Sequence, residues 1–243
     1  MSNCIVIPAY NGIKDKFSSC IRSWEIYAER HKIDLIVHSG PVNNNDEGSQ
    51  WELSIWRRWQ DLKLLLNKHD NFLQVDADTM IRWDAPNIFN ECSKESEISG
   101  VLDGMAGFHH FPQWSMSHNL QKINFNFYFN AGLLRFSKKF ADYLLHHLET
   151  YYSFWKKRKS LNIKIDAVDQ TAVNLIIQQS DLNFEILPLI FNNLVLNNYN
   201  DFNFIEENYV WHFTGPNMGG WANKENIINQ TWDKVKSNYF RPS

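Results

Sequence analysis

The stretch Phe72-Leu-Gln-Val-Asp76-Ala-Asp78 decides the fold, because it joins a buried-strand pattern directly to two closely spaced carboxylates. The run 71–75 is short and rich in strand-forming residues, which predicts a strand that ends at the carboxyl edge of a sheet. In open α/β sheets ligands bind at that edge. Two neighbouring Asp anions repel each other unless a cation lies between them, and hard oxygen ligands suit Mg²⁺ or Mn²⁺. The stretch therefore predicts a metal clamp, for which a nucleotide diphosphate is the usual co-ligand, although Asp-x-Asp also fits a simple turn.

Strand and helix patterns alternate on both sides of this stretch. The predicted elements are strands at 4–8, 34–38, 71–75, 98–102, 125–136, 184–187 and 210–213, and helices at 15–31, 51–68, 87–92, 138–155, 166–179 and 224–239. A strand, helix, strand succession pairs its strands in parallel. We therefore predict an α/β fold with a mixed, mainly parallel sheet flanked by helices.

Composition limits the classes of partner. The 24 basic and 27 acidic residues give a net charge of −3, which provides no footprint for nucleic acid and no polybasic membrane patch. The three cysteines are widely spaced, which favours neither zinc nor a disulfide framework. We see no signal peptide and no run long enough to span a membrane, so we expect a cytoplasmic location. At 243 residues, one domain over 1–243 is expected.

Four short motifs follow one another along the chain: Asp76-Ala-Asp78, Asn130-Ala-Gly132, Asp169-Gln170, and His212-x-x-Gly215 near Trp221. Together they resemble the metal-dependent glycosyltransferases of the GT-A fold, particularly the retaining group that includes glycogenin and bacterial galactosyltransferases. The resemblance covers most of the chain. It implies transfer of a sugar from a nucleotide-diphosphate donor, with UDP favoured, to a glycan or glycoconjugate acceptor.

The resemblance also assigns roles to residues. It implies that Asp76, Asp78 and His212 hold Mn²⁺, or Mg²⁺, against the diphosphate. The remaining nucleotide-sugar contacts that it implies are Ala77 and Asp76 beside the ribose, Asn130, Ala131 and Gly132 at the sugar, and Gly215 near the phosphates. Asp169 and Gln170 would lie at the anomeric centre. Three of these residues also have simpler explanations: His212 can hydrogen bond locally, Asp169 can stabilise a helix start together with Asp166, and Asn130 can be a turn residue.

The first strand departs from this pattern. The stretch Val6-Ile-Pro8-Ala9-Tyr10-Asn11 resembles the large inverting GT-A group instead, although His38-Ser-Gly stands where that group has an acidic residue. Both groups place this loop against the nucleotide, which implies contacts from Pro8 and Ala9 and stacking of Tyr10 on a uracil-like base. We favour retention, and inversion would need Asp103 or Asp169 as the base.

Three basic residues are candidates for contacts to the diphosphate: Arg58, Lys63 and Lys224. Retaining members often carry a Lys shortly before the final Trp, which is missing here, so either Lys224 or Lys63 would substitute, or the metal and backbone N–H groups would suffice. Lys63 and Arg58 lie on the helix that precedes the metal strand, and we favour Lys63. The aromatic loop 108–114 is a candidate surface for stacking an acceptor sugar, or a hydrophobic cover over the core.

Two other functions remain open. A nucleotidyltransferase would need a Gly-rich, basic first loop, which 8–16 lacks. A non-catalytic carbohydrate-binding module would use the aromatic surfaces without turning over a donor.

Overall fold

The computed structural model describes residues 2–42, 49–114, 122–194, 207–214 and 221–240. The strands are β1 (Asn3–Pro8), β2 (Asp34–His38), β3 (Asn71–Val75), β4 (Thr79–Ile81), β5 (Ile98–Leu102), β6 (Phe129–Ser137), β7 (Phe184–Ile186), β8 (Asn193–Leu194) and β9 (Val210–His212). The helices are α1 (Ile13–Lys16), α2 (Ser18–His31), α3 (Gln50–Gln60), α4 (Ile88–Glu91), α5 (Ala106–His110), α6 (Lys138–Ser160), α7 (Val168–Gln179) and α8 (Trp221–Tyr239).

A six-stranded sheet with the order β2-β1-β3-β6-β5-β7 forms the centre of the molecule. Strand β6 runs antiparallel to β3 and β5, and the other neighbouring pairs are parallel. The predicted mixed, mainly parallel sheet is thus confirmed. Because β6 runs against β3, its first residues lie beside the end of β3, with Leu133 opposite Val75.

A second sheet of three strands, ordered β4-β9-β8, follows the carboxylate stretch. Strands β4 and β9 are antiparallel, and their register sets Thr79 opposite His212. This pairing joins the middle of the chain to its last strand. It brings His212 next to the residue that follows Asp78.

Helices cover both faces of the central sheet. One buried cluster packs α2 and α8 against Ile5, Ile7 and Leu73, and the other packs α3, α6 and α7 against Cys4, Val6 and Phe72. The alternation of side chains along β1 and β3 assigns neighbouring residues to opposite faces. Within the described ranges, no helix has both the length and the apolar composition needed to cross a membrane.

The structure differs from the sequence prediction in four elements. The first helix is interrupted at Phe17, whose φ of −109° and ψ of 31° separate α1 from α2. The second ends at Gln60 and continues as a 3₁₀ turn, Asp61–Leu64. The predicted aromatic loop 108–114 is wrong, since α5 and the 3₁₀ turn Phe111–Trp114 occupy it. Helix α7 is preceded by Ala167 in the left-handed region (φ 46°), without a side-chain cap, so Asp166 is not the cap we expected.

Trp24 of α2 connects this helix to the carboxylate turn by hydrogen bonding to Thr79. Its indole N–H lies 3.1 Å from the carbonyl oxygen of Thr79 and 3.0 Å from the hydroxyl oxygen of the same residue. The side chain is fully buried. Since a hydrogen bond contributes about 1 kcal/mol net, this contact stabilises the turn in addition to the packing.

We expect Trp24→Phe to lower the free energy of unfolding by about 1 kcal/mol more than Trp56→Phe does. Trp56 is the matched control, because it is 1% exposed and its indole nitrogen finds no acceptor among the described residues. Both substitutions remove similar apolar volume, but only the first removes a hydrogen bond. Urea unfolding followed by circular dichroism measures the difference, and equal losses in the two variants would contradict the assigned role of the Trp24 hydrogen bond.

Candidate active site

A tight turn carries the two carboxylates. The amide of Thr79 donates to the carbonyl of Asp76 (3.0 Å), and the amide of Asp76 donates to the carbonyl of Gly132 on β6 (2.9 Å). On the other side, the amide of Phe213 donates to the carbonyl of Asp78 (3.0 Å). The turn is therefore fixed between the start of β6 and the end of β9.

Asp76, Asp78 and His212 converge at this turn. The Nε2 atom of His212 lies 3.6 Å from Oδ2 of Asp76 and 3.4 Å from Oδ1 of Asp78. One ligand atom from each residue falls within 4.8 Å of the other two, so the group could hold a metal ion. Two carboxylates and one imidazole suit Mn²⁺ or Mg²⁺ rather than a soft metal.

The second nitrogen of His212 is held by Asn192, with 3.0 Å between Nδ1 and Oδ1. Asn192 is 1% exposed, and its amide nitrogen donates to Oδ1 of Asn130 (2.9 Å). Oδ1 of Asn130 also accepts the backbone N–H of Gly132 (2.9 Å). Since a backbone N–H can only donate, these bonds fix both amide orientations, and Oδ1 of Asn192 must accept from Nδ1. With its proton on Nδ1 fixed in this way, His212 can offer the lone pair of Nε2 to a metal ion once Nε2 has lost its proton.

Gly132 provides the space for His212. A Cβ atom at this position would lie 2.0 Å from Cε1 and 2.6 Å from Nδ1 of the imidazole. No side chain can occupy that volume while His212 stays in place. The group that approaches the Gly132 backbone in the structure is the imidazole of His212.

Two cations of the chain lie against the carboxylates. Arg58 of α3 forms ion pairs with Asp76 and Asp169, and Lys224 of α8 forms one with Asp78. Arg58 is 7% exposed and Lys224 is 3% exposed. Charges so far from water require partners, which the three carboxylates supply. With His212 neutral, as it must be when it ligates a metal, these three acids and two bases leave one negative charge, so a divalent ion would make the group net positive and attractive to a diphosphate.

Asp169 is deeply engaged with α3. Its Oδ2 accepts from Nε of Arg58 (2.7 Å), from a second guanidinium nitrogen of the same residue, and from the indole of Trp59 (2.8 Å). The residue is 5% exposed. Asp169 therefore connects α7 to Arg58 and, through it, to Asp76.

Gln170, Asp103 and Asn130 form a second polar group beside the first. Oδ2 of Asp103 accepts from Nε2 of Gln170 and from Nδ2 of Asn130, each at 3.0 Å. Oε1 of Gln170 accepts from the amide of Ala131 at 2.9 Å. The structure thus brings these four predicted residues together, and Asn130 joins them to His212 through Asn192.

Neighbouring charges shift the pKa values of His212 and Asp78. Burial disfavours the charged form of His212, but hydrogen bonds and charges from Asp76 and Asp78 outweigh it and raise the pKa of His212 to about 9. Burial also opposes ionisation of Asp78, yet Lys224 and His212 hold the pKa of that carboxyl well below its usual range. Both shifts arise because opposite charges lie in direct contact.

The end of β1 forms a separate polar group. Ala9 is fully buried, and its amide donates to the carbonyl of His38 at 2.7 Å, directly after Pro8. The hydroxyl of Tyr10 donates to Asp61 (2.8 Å), and the Tyr10 ring, 7% exposed, is stacked with His38 at a centroid distance of 6.2 Å. Burial, followed by the bond to Asp61, raises the pKa of Tyr10.

A cavity of about 460 Å³ opens beside this group. It is lined by the turns that follow β1 and β2, including Ala9, Asn11, Gly12, Ser39 and Gly40. The carboxyl ends of two parallel strands therefore enclose it, as expected for a ligand site in an α/β sheet.

Other predicted residues lie elsewhere. Lys63 is exposed, and no hydrogen bond or ion pair joins it to the clamp within the described ranges, whereas Arg58, which we favoured less, is buried in it. Ala77 lies within the carboxylate turn and is 6% exposed. Gly215 lies outside the described residues. In the aromatic segment 108–114, Phe111 and Trp114 are fully buried and pack into the core, whereas Phe108 is 48% exposed.

Sequence reasoning missed Asn192 and Asp61. Asn192 follows a short 3₁₀ turn, Leu189–Phe191, and no spacing rule relates it to His212. Asp61 lies three residues after Arg58, where an acidic helix end is unremarkable. Only the fold brings either residue to its partner.

Solved structures with the same fold are glycosyltransferases. A glycosyltransferase involved in glycosylation of the major capsid of PBCV-1 is 12% identical, with a TM-score of 0.62 over 94% of this chain and 100% of that one. The galactosyltransferase LgtC, in complex with donor and acceptor sugar analogues, is 13% identical, with a TM-score of 0.58 over 99% and 97% of the two chains. The bifunctional glycosyltransferase WbbM is 16% identical, with a TM-score of 0.65 over 98% of this chain and 51% of that one.

The fold of this chain is therefore that of the GT-A glycosyltransferases, and the resemblance we expected from the motifs is confirmed at that level. No family model matches the sequence, and no curated protein does either.

The raised pKa of His212 predicts a pH-dependent stability in the absence of metal. Its stabilising contribution is fully present below the unfolded-state pKa of about 6.5 and is lost as pH rises through about 9. In the presence of a chelator, we expect the free energy of unfolding to fall by about 1–3 kcal/mol between these pH values. Urea unfolding at several pH values measures this, and His212→Gln should flatten the decline. An equally steep decline in that variant would exclude His212 as its source.

We expect Gly132→Ala to weaken Mn²⁺ binding at least tenfold, because the added methyl group displaces His212. Isothermal titration calorimetry measures the affinity. Gly100→Ala is the matched control, since its Cβ would lie 2.6 Å from the Leu134 side chain in the same sheet, away from His212. The control should lose stability but keep its affinity, and equal affinities in the two variants would show that the close approach does not matter.

Proposed function

We propose that this chain is a glycosyltransferase that moves a sugar from a nucleotide-diphosphate donor to a carbohydrate acceptor with Mn²⁺ or Mg²⁺. One domain over 1–243 would carry the activity, and a UDP-hexose is the favoured donor. The observation that carries the proposal is the convergence of Asp76, Asp78 and His212 at the ligand-binding edge of a GT-A fold. The solved LgtC structure, which contains donor and acceptor sugar analogues, supports this class of substrates.

Asp76, Asp78 and His212 would hold the metal ion. When bound, it would supply a Lewis acid that stabilises the negative charge developing on the leaving diphosphate. Lys224 supports the same task, because its ammonium group already lies at Asp78 and is sheltered from water. Gly215 remains a predicted backbone contact of the phosphates.

The nucleoside would extend toward the cavity of about 460 Å³ at the ends of β1 and β2. Ala9 and Asn11 line it and would contact the base and ribose. A contact from Pro8, which precedes Ala9, remains a prediction. Stacking on Tyr10 remains a prediction, since the ring is 7% exposed and its hydroxyl is bound to Asp61. A contact from Lys63 also remains a prediction.

The sugar would lie against Asn130, Asp103 and Gln170. The three side chains are joined by hydrogen bonds, which hold their polar atoms in fixed directions before a ligand arrives. Such preorganised donors and acceptors suit the hydroxyl groups of a hexose. They would orient the anomeric carbon relative to the diphosphate.

Retention of anomeric configuration is the favoured outcome. Inversion needs a carboxylate that takes the proton of the acceptor hydroxyl. Oδ2 of Asp169 already accepts three hydrogen bonds from Arg58 and Trp59, which leaves little room for an acceptor hydroxyl there. Asp103, whose Oδ2 accepts two amide groups, is the remaining candidate base for an inverting enzyme.

Hydrolysis of UDP-sugars tests the proposal. We expect slow, Mn²⁺-dependent release of UDP from at least one of UDP-glucose, UDP-galactose and UDP-N-acetylglucosamine, and at least a 100-fold loss in Asp78→Asn. Asp84→Asn is the matched control, because this carboxylate is exposed and pairs with Arg82. Absence of turnover in the unmodified protein, or equal rates in the two variants, would exclude the proposed chemistry.

Proton NMR of the sugar product gives the stereochemical outcome of the same reaction. An α-linked product from an α-linked donor is expected. A β-linked product would reject retention and point to Asp103 as the base.

A further inference from the structure

A second cavity, of about 370 Å³, lies between the start of α3, the end of α6 and the start of α7. Trp51 and Glu52 border it on α3, Trp155 and Lys159 on α6, and Val168 at the start of α7. Its volume is within the range of pockets that bind small molecules. None of the residues expected from the sequence to contact substrate lines it.

The cavity adjoins the candidate active site. Val168 immediately precedes Asp169 and Gln170, so the cavity lies at the start of the helix that carries both residues. On α3, Trp51 lies seven residues before Arg58, which places it two turns along the same side of the helix, about 10 Å away. That separation is the span of a short oligosaccharide.

The lining has the chemistry of a sugar site. Trp51 is 57% exposed, which leaves an indole face open at the rim, and aromatic faces pack against the apolar faces of pyranose rings. Asn162 and Asp166 add groups that can bond to hydroxyls. Large exposed aromatic side chains at the rim of a cavity are typical of recognition surfaces rather than of the core.

The charges around the cavity neutralise one another. Lys159 pairs with Glu52, and Lys164 pairs with Asp166 at 3.0 Å. The Glu52 carboxylate also accepts the backbone N–H of Ser49 at 2.8 Å. With its cations paired, the cavity favours a neutral ligand over a phosphate or a nucleotide.

We propose that this cavity is the acceptor subsite, and that it binds a neutral oligosaccharide with one ring stacked on Trp51. The inference rests on the proposed function and specifies its second substrate. It differs from the expectation that the segment 108–114 would stack the acceptor, because Phe111 and Trp114 of that segment are buried.

The test combines binding and turnover on the full chain. The protein is labelled with 5-fluorotryptophan, and the ¹⁹F signal of Trp51 is assigned by its absence in Trp51→Phe. Lactose, maltose and the p-nitrophenyl α- and β-glucosides, galactosides and mannosides serve as probes, with UDP and Mn²⁺ present. We expect at least one probe to shift the Trp51 signal and to accept sugar from a UDP-sugar.

In Trp51→Ala, we expect the ratio of transfer to donor hydrolysis to fall at least tenfold, and Trp51→Phe should restore most of it. Phe240→Ala, another exposed aromatic residue, is the matched control and should leave the ratio unchanged. An unchanged ratio in Trp51→Ala, or no response of the Trp51 signal to any probe, would overturn the subsite.

Failure of the proposed glycosyltransferase function can be distinguished from failure of the proposed acceptor subsite. A protein that neither hydrolyses nor transfers from any UDP-sugar but still shows the Trp51 shift would retain a sugar-binding cavity without an acceptor role. That result would reject both the enzyme and the acceptor assignment, whereas hydrolysis without a Trp51 response would reject the subsite alone.

Discussion

The repulsion between Asp76 and Asp78 is the constraint on which the rest of the site depends. Two carboxylates in a tight, partly buried turn need cations, and elements far apart in the chain supply them. Helix α3 contributes Arg58, helix α8 contributes Lys224, and strand β9 contributes His212. Each of these groups is buried and would be costly to bury without the carboxylates. The clamp and the packing of three remote elements therefore stabilise one another.

The direction of the hydrogen bonds, from donor to acceptor, is the second constraint on the site. The backbone N–H of Gly132 can only donate, and this fact propagates through the amides of Asn130 and Asn192 to the imidazole of His212. A run of side chains whose donors and acceptors are all assigned has a single low-energy arrangement. It also links the proposed sugar position to the metal position, because Asn130 belongs to both groups. The geometry is thus preorganised without any ligand.

The sequence predicted the strands of the central sheet and the approach of Asp76, Asp78 and His212, for physical reasons, but it missed β4 and β8 and began β6 four residues too early. Strand β3 is buried along its whole length and three of its five residues are apolar, and the polar turn after it has few alternatives to the edge of a sheet. The partners were harder. Lys63 and Arg58 are both basic residues near one helix end, and only the packed structure shows which is buried. Asn192 has no signal at all, since its role comes from a β8–β9 arrangement that no local pattern encodes. The same limit applies to the aromatic segment 108–114, where exposure rather than composition decides the function.

The antiparallel direction of β6 has a consequence for the length of the helix that follows it. Strand β6 starts at the clamp and ends on the far side of the sheet, so α6 must carry the chain back. Nine strand residues span about 30 Å, and 23 helical residues span about 34 Å. The helix thus exceeds the strand by roughly one turn, and this surplus turn carries the last residues of α6 to the wall of the second cavity. The length of α6 therefore sets the size of the second cavity, and related chains with a shorter or longer α6 would have a differently sized cavity beside the same clamp.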